Sequence, residues 1–186
     1  MTLRSLDLMV NGKLRRVSVE PQDLLLDVLH DGLGMPDVRY GCGEGVCGTC
    51  TVLLDGAPVN ACLTFAVQCV GSEITTLGAL TGSDGSLHPI QRAFLEHGGS
   101  QCGFCTPGMI LTAYSLGERG LRPDRDTLRY ELVGNLCRCT GYTKILDAVE
   151  DYLDQLTGDG AATSTRGSAT AASGHVAEDG DPGGAA

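Results

Sequence analysis

Eight of the nine cysteines of this 186-residue chain fall into two quartets. The first quartet is Cys42, Cys47, Cys50 and Cys62, and the second is Cys102, Cys105, Cys137 and Cys139. Four thiolates brought together are a typical set of ligands for a metal or a metal cluster. The two quartets therefore predict two metal sites in one short chain.

The first quartet has the spacing C-x4-C-x2-C, followed by a fourth cysteine after eleven further residues. This is the plant-type ferredoxin pattern for a [2Fe-2S] cluster. Glycines at positions 41, 43, 45 and 48 surround the first three cysteines, and they allow the loop to curl with positive φ where needed. Three of them also match a dinucleotide-binding fingerprint, but a predicted strand follows where that fingerprint requires a helix.

The second quartet combines a C-x2-C motif with a distant C-x-C motif. Cys137 and Cys139 are two residues apart, so a locally extended backbone would point both thiols to one side. Cys102 and Cys105 lie at the start of a predicted helix, where free amides and the positive dipole end favour a negatively charged site. Arg138 would offset part of that charge. Judged on spacing alone, four-cysteine zinc remains an alternative here.

Composition and charge narrow the class of partner. Aromatic residues make up only 4% of the chain and the net charge is -10, so the chain lacks stacking platforms for bases and repels phosphate backbones. Nucleic acid is therefore not an expected partner. The sequence has no apolar run of the roughly 18 residues that would span a bilayer and no recognisable export signal. We expect a cytoplasmic protein with no membrane partner, in which thiols stay reduced.

The N-terminal region has the pattern of an α+β unit. Alternating apolar residues on either side of Asn11-Gly12 predict a β-hairpin. A short amphipathic helix follows, and a second hairpin is predicted around Asp55-Gly56, with its return strand over Val59–Cys62. Residues 1–79 are therefore predicted to form the first domain.

Helical periodicity replaces this pattern in the second part of the chain. Four helices are predicted within residues 80–156, which would form the second domain. Thr106 is a candidate N-cap for one of them, with Pro107 at its first position. Residues 157–186 consist mostly of small and polar residues without a repeating apolar face, so they are predicted to be a disordered tail.

Three motifs make the chain similar to a known family. They are GCGEGVCGTC over 41–50, QCGFCTPG over 101–108 and GNLCRCTGY over 134–142. They closely resemble the motifs of the iron-sulfur small subunit of the xanthine oxidase family of molybdenum hydroxylases. All eight ligand positions match in order, and the resemblance covers about residues 3–156.

The resemblance implies an α+β chain with an N-terminal β-grasp, plant-type ferredoxin domain and an all-α four-helix bundle [2Fe-2S] domain. It implies assembly with a large molybdopterin-binding subunit and a medium FAD-binding subunit in a dimer of heterotrimers. The chain would relay electrons from the molybdopterin centre through two [2Fe-2S] clusters to FAD. The overall reaction would be hydroxylation of an aldehyde, purine or N-heterocycle with water as the oxygen source.

The resemblance also assigns roles to single residues. All eight quartet cysteines would bind iron, Cys139 would lie close to the pterin, and Gln101 would hydrogen-bond the molybdenum cofactor. Without the resemblance, Gln101 would be interpreted as an exposed loop amide. Cys69 has no counterpart among the ligands and is predicted to be a small buried hydrophobe. No residue of this chain is expected to bind substrate. A freestanding two-cluster electron carrier is the alternative function.

Overall fold

The computed structural model describes residues 3–158, which form a mixed α/β structure with a five-stranded sheet and five α-helices. The strands are β1 (Arg4–Val10), β2 (Lys13–Val19), β3 (Thr51–Leu54), β4 (Ala57–Asn60) and β5 (Glu73–Thr75). The helices are α1 (Leu25–Asp27, continued by a π turn over Val28–Gly32), α2 (Pro89–Glu96), α3 (Thr106–Glu118), α4 (Arg125–Glu131) and α5 (Thr143–Gly158). Helix α5 includes the first two residues of the tail predicted from residue 157, and from residue 159 onward that tail lies outside the described residues.

The first hairpin forms where the sequence predicted it. Asn11 and Gly12 both have positive φ, 51° and 68°, the backbone that a two-residue hairpin turn requires and that Asn-Gly tolerates best. The Asn11 side chain also reaches the far end of the unit, because its amide donates to Thr76 Oγ1 at 2.9 Å and its oxygen accepts from Thr76 N at 2.8 Å. The turn therefore fixes the segment that leaves β5.

The sheet order is β2-β1-β5-β3-β4, with β5 parallel to β1 and antiparallel to β3. The second hairpin is present, but its predicted return strand over Val59–Cys62 begins too late. Asp55 and Gly56 form a two-residue turn, so β4 starts at Ala57 and ends at Asn60, opposite the first residue of β3. Cys62 consequently lies in a 3-10 turn after the strand.

The described residues contain two hydrophobic clusters. One lies between the sheet and the α1 segment and includes the fully buried Leu8, Leu25 and Ile74. The other lies among the C-terminal helices and includes Phe94 and Tyr152. Burying a side chain of this size stabilises the fold by about 1.5–3 kcal/mol, so each cluster is a substantial core for its own half of the chain.

Helix α3 begins at the second quartet, and its start differs from the prediction. Thr106 is not the N-cap; Cys105 takes that position, and Thr106 is the first helical residue. The Thr106 hydroxyl instead donates to Ser100 Oγ at 3.1 Å, so it ties the preceding loop to the helix. Across residues 3–158, no helix has the length and hydrophobicity needed to cross a membrane.

The residue before helix α2, His88, is its N-cap, and its side chain must be neutral to accept the capping hydrogen bond. His88 Nδ1 accepts from the backbone N–H of Ile90, and the His88 N–H donates to the Gln91 side chain, which completes a capping box. Burial lowers the pKa of His88, against the opposing effect of the Glu118 carboxylate. Protonation would remove the acceptor and expose a charge to a partly buried site.

We predict that His88 makes the stability of the chain depend on pH between 7 and 5. Because the folded state holds the His88 proton less tightly than the unfolded chain, stability is lost as pH falls through the unfolded pKa of about 6.5. His88→Asn supplies a cap that does not titrate. Relative to this variant, the wild-type Tm should fall by a further 2–4 °C or so at pH 5, for a cap worth about 1 kcal/mol. Identical pH profiles of the two proteins would contradict this role.

Candidate metal centres

The loop of the first quartet turns its backbone amides toward sulfur. The Cys42 Sγ accepts from the N–H groups of Glu44, Val46 and Cys47 at 3.3, 3.3 and 3.4 Å. Three of the four loop glycines, at 43, 45 and 48, have positive φ. The fourth, Gly41, is needed for space, since a Cβ there would lie 2.6 Å from the Cys47 Sγ. The loop is therefore built for close approach of backbone to sulfur, which suits a thiolate cluster.

The second quartet is assembled from two loops at the entrance to α3 and before α5. Cys102 and Cys105 precede α3, and the turn with Cys137 and Cys139 precedes α5. The Cys139 and Cys102 sulfurs lie 3.5 Å apart. The Thr140 hydroxyl donates to the Cys137 Sγ at 3.2 Å. Polar groups of the C-x-C turn therefore stabilise a thiolate, as amides do in the first quartet.

Within each quartet the thiols lie in pairs. The pairs are Cys42 with Cys47, Cys50 with Cys62, Cys102 with Cys139 and Cys105 with Cys137, and within each pair one thiol shifts the pKa of the other. Throughout residues 3–158, three or more His, Cys, Asp or Glu side chains are nowhere grouped to hold a single metal ion. A [2Fe-2S] cluster needs two thiolates for each of two irons, whereas structural zinc needs four around one ion. The thiol pairs match the two irons of a [2Fe-2S] cluster at both quartets.

The environments of the thiols differ sharply in their effect on ionisation. Backbone N–H donors, that of Glu44 first, lower the pKa of Cys42 to about 6. The Phe104 N–H likewise lowers the pKa of Cys102. Burial raises the pKa of Cys50 and of Cys105 to about 12. The buried thiols would lose their protons only to a bound metal, so metal binding releases protons here and depends on pH.

Two family models match adjacent parts of the chain. One, described as a 2Fe-2S iron-sulfur cluster binding domain, matches residues 8–68, and the other, described as a [2Fe-2S] binding domain, matches residues 76–150. Each match contains one complete cysteine quartet.

Similar proteins match most of this chain and most of their own length. The nicotine 6-hydroxylase small subunit of Paenarthrobacter nicotinovorans is 44% identical over 81% of this chain and 90% of its own length. The nicotinate dehydrogenase small FeS subunit of Eubacterium barkeri is 45% identical over 78% of this chain and 92% of its own. Among solved structures, quinoline 2-oxidoreductase from Pseudomonas putida 86 has a chain that superposes with a TM-score of 0.78 at 42% identity, covering 84% of this chain and 98% of that one.

The chain belongs to the iron-sulfur subunits of the xanthine oxidase family of molybdenum hydroxylases. This confirms the resemblance, and it makes the protein a subunit of a multi-subunit oxidoreductase. The N-terminal half of this iron-sulfur subunit is its ferredoxin-like part. The matches to [2Fe-2S] domains at both quartets support two such clusters and argue against zinc.

The subunit exposes one side of each quartet. Cys42 is exposed while Cys50 and Cys62 are buried, and in the second quartet Cys102 and Cys139 are both exposed. Gln101 is also exposed and directly precedes Cys102, whose sulfur lies 3.5 Å from that of Cys139, the residue expected to be close to the pterin. Cys69 is fully buried in the N-terminal core, as predicted for a thiol without a ligand role.

The two cysteine loops of the subunit touch each other. The backbone N–H of Leu136 donates to the Cys47 carbonyl at 2.8 Å. Arg39, just before the first loop, donates to the Gly103 carbonyl and lies over the Phe104 ring at 5.7 Å. These contacts could not be predicted from the sequence, because contacts between distant backbone segments leave no periodic pattern.

We predict that Cys62 and Cys69 respond differently to replacement although both are buried in the N-terminal core. Cys62→Ala should remove one of the paired thiols, so that about half of the iron and acid-labile sulfide is lost. Cys69→Ala, the matched control, should keep the full content. Iron and sulfide analysis of the purified proteins measures both, and equal losses in the two variants would contradict the assignment of Cys62 as a ligand.

Proposed function

We propose that the two quartets hold two [2Fe-2S] clusters that relay electrons from a molybdopterin centre to FAD on partner subunits. The pairing of all eight thiols, with one loop of each quartet in contact with the other, is the observation that carries the proposal. When bound, each cluster would accept and pass on one electron at a time. The chain supplies the thiolates, the amide donors to sulfur and the fixed relation between the loops, and it leaves the substrate to another subunit.

The exposed residues support a direction for the relay. Electrons would enter on the side of Cys102 and Cys139, with Gln101 beside them to bind the molybdenum cofactor. They would leave from the first quartet on the side of Cys42. Partner subunits must cover both places, and both carry exposed apolar side chains, which a partner would bury. These side chains are Phe104 and Leu136 near the second quartet and Val46 and Leu63 near the first.

The finer description of the fold is part of the same proposal. We assign residues 1–79 to a β-grasp domain, whose five-stranded sheet with parallel β1 and β5 supports that assignment. We assign residues 80–156 to a four-helix bundle, supported by the shared core of α2, α3, α4 and α5. The segment from residue 157 onward would have no part in electron transfer.

The proposed assembly contains a large molybdopterin subunit and a medium FAD subunit, arranged as a dimer of heterotrimers in the cytoplasm. Its reaction would be hydroxylation of an aldehyde, purine or N-heterocycle, with the oxygen taken from water. The names of the relatives support both an N-heterocycle and an aldehyde, since nicotine, nicotinate and quinoline contain a ring nitrogen and other relatives are named as aldehyde oxidoreductases.

Isolation of the native complex tests the relay. Affinity purification through this chain should yield two larger subunits together with molybdenum, pterin and FAD. Each copy of the chain should contain about four iron and four sulfide, two of each per cluster. A monomeric red protein without molybdenum or flavin would instead identify a freestanding electron carrier. A colourless zinc protein would overturn the proposal altogether.

Gln101→Ala tests the predicted contact with the molybdenum cofactor. In the wild-type complex the exposed amide would face the partner and its cofactor. Loss of the amide should therefore loosen the cofactor or slow reduction of the clusters by substrate. Molybdenum and pterin content and stopped-flow bleaching of the iron-sulfur absorbance measure these two effects. Gln68→Ala replaces an exposed glutamine of the N-terminal half and should behave as wild type. Unchanged cofactor content and unchanged bleaching in Gln101→Ala would refute the contact.

A further inference from the structure

A buried amide joins the two halves of the chain. Asn135 is only 4% exposed, although it lies two residues before Cys137 in an otherwise exposed turn. Its Nδ2 donates to the Gly48 carbonyl at 2.9 Å and to Thr51 Oγ1 at 3.1 Å. Its Oδ1 accepts from the Thr112 hydroxyl of α3 at 2.8 Å. One side chain therefore links the first cysteine loop, strand β3 and helix α3.

The network around this amide is closed. Thr51 Oγ1, which accepts from Asn135, donates in turn to the Gly48 carbonyl at 2.6 Å. That carbonyl thus receives two side-chain donors in a buried site. A buried polar network with its groups satisfied is rigid, whereas removal of one member leaves the others buried and unpaired, which destabilises the fold.

The backbone of the first cysteine loop lies very close to the backbones of the Gly134–Asn135 turn and of α3, so these segments cannot shift past each other. A Cβ at Gly48, which has a φ of +65°, would collide with the Gly134 carbonyl and with Asn135. A Cβ at Gly108 of α3 would collide with the Gly48 carbonyl. Both positions therefore require glycine for space, and Gly48 requires it for its backbone conformation as well.

The hydrogen bonds from Asn135 to Gly48 and Thr51, which we call the inter-loop clamp, lie directly beside the hydrogen bond between the two loops. Gly48 follows Cys47, and Asn135 precedes Leu136, whose N–H donates to the Cys47 carbonyl at 2.8 Å. Covalent bonds continue from that carbonyl to the Cys47 thiol on one side and from Leu136 to the Cys137 thiol on the other. A thiol of each quartet is thus connected to the other through bonds and a single hydrogen bond.

We propose that Asn135 is a positioning residue for electron transfer between the quartets, holding the Cys47–Gly48 segment against the Leu136–Cys137 segment. The inference rests on the proposed function, in which one electron leaves the cluster of the second quartet and reduces the oxidised cluster of the first. No proton or further reactant is needed in that step. Asn135 itself carries no electron; it fixes the distance and the hydrogen bond across which the electron passes.

Asn135→Leu is the variant that tests this role, because leucine has nearly the same volume but neither donates nor accepts. Ser115→Ala is the control, since it removes a buried hydroxyl of α3 that bonds to the Thr112 carbonyl and not to the first loop. Both variants should lower the Tm, Asn135→Leu by about 5 °C. Thr51→Val is a milder second variant, which deletes only one partner of the amide and serves if Asn135→Leu does not fold.

The decisive readout is the magnetic interaction between the two reduced clusters. The complex is reduced with dithionite and its EPR spectrum recorded at low temperature, alongside the rate of inter-cluster electron transfer after a light-driven one-electron reduction. With iron content intact, Asn135→Leu should lose or weaken the splitting and slow the transfer, and Thr51→Val should do so to a smaller degree. Ser115→Ala should keep both at the wild-type value.

The outcomes separate this inference from the proposed function. If Asn135→Leu, or Thr51→Val where the first variant does not fold, keeps the wild-type splitting and rate, Asn135 has only a packing role and the inference is wrong. If the wild-type complex itself lacks two iron-sulfur EPR signals, the relay fails and the inference falls with it.

Discussion

The contact between the Gly48 carbonyl and the buried amide of Asn135 is the constraint on which the relation between the two halves depends. Each half has its own hydrophobic core, and apolar contact alone would allow one half to slide over the other, because the hydrophobic effect has no direction. Hydrogen bonds have a direction, and the amide donates two of them across the boundary while Thr112 of its own half holds its oxygen. The orientation of one cysteine loop toward the other therefore follows from polar rather than apolar interactions.

The two quartets bring their four thiols together in different ways. In the first, one glycine-rich loop supplies three thiols and the amides that donate to Cys42, and a turn after β4 supplies the fourth. In the second, the thiols come from two loops that are brought together by the packing of α3 against α5. The first site therefore depends mainly on local backbone conformation, and the second depends on the tertiary core that includes Phe94 and Tyr152.

The sequence predicted those features of the fold that leave a local pattern. The hairpin at Asn11-Gly12 was predictable because alternation and turn chemistry agree there, and the helices were predictable from their apolar period. The return strand at Val59 and the cap at Thr106 were predicted wrongly. In the first case turn length decided the register, and in the second the Thr106 hydroxyl bonded to Ser100 instead of to its own helix.

The two cysteine quartets of the candidate site could be recognised in the sequence, whereas the contacts between them could not. Cysteine spacing and the family motifs identified both quartets, whereas nothing in the sequence distinguished Asn135 from an exposed turn residue. Its burial follows from the approach of Gly48 and Gly108, which are 60 positions apart in the chain. Such an approach depends on the whole fold, and a single sequence carries no signal of it.

The order of the cysteines along the chain has a consequence for how the protein is made. All four thiols of the first quartet are synthesised by residue 62, together with all but one strand of their sheet. The second quartet is incomplete until residue 139, and its helical core is incomplete until α5 has followed. On the ribosome, the first quartet is therefore complete and available to a cluster donor well before the second. Asn135 is also added late, so the inter-loop clamp closes onto a first loop that has already had time to receive its iron.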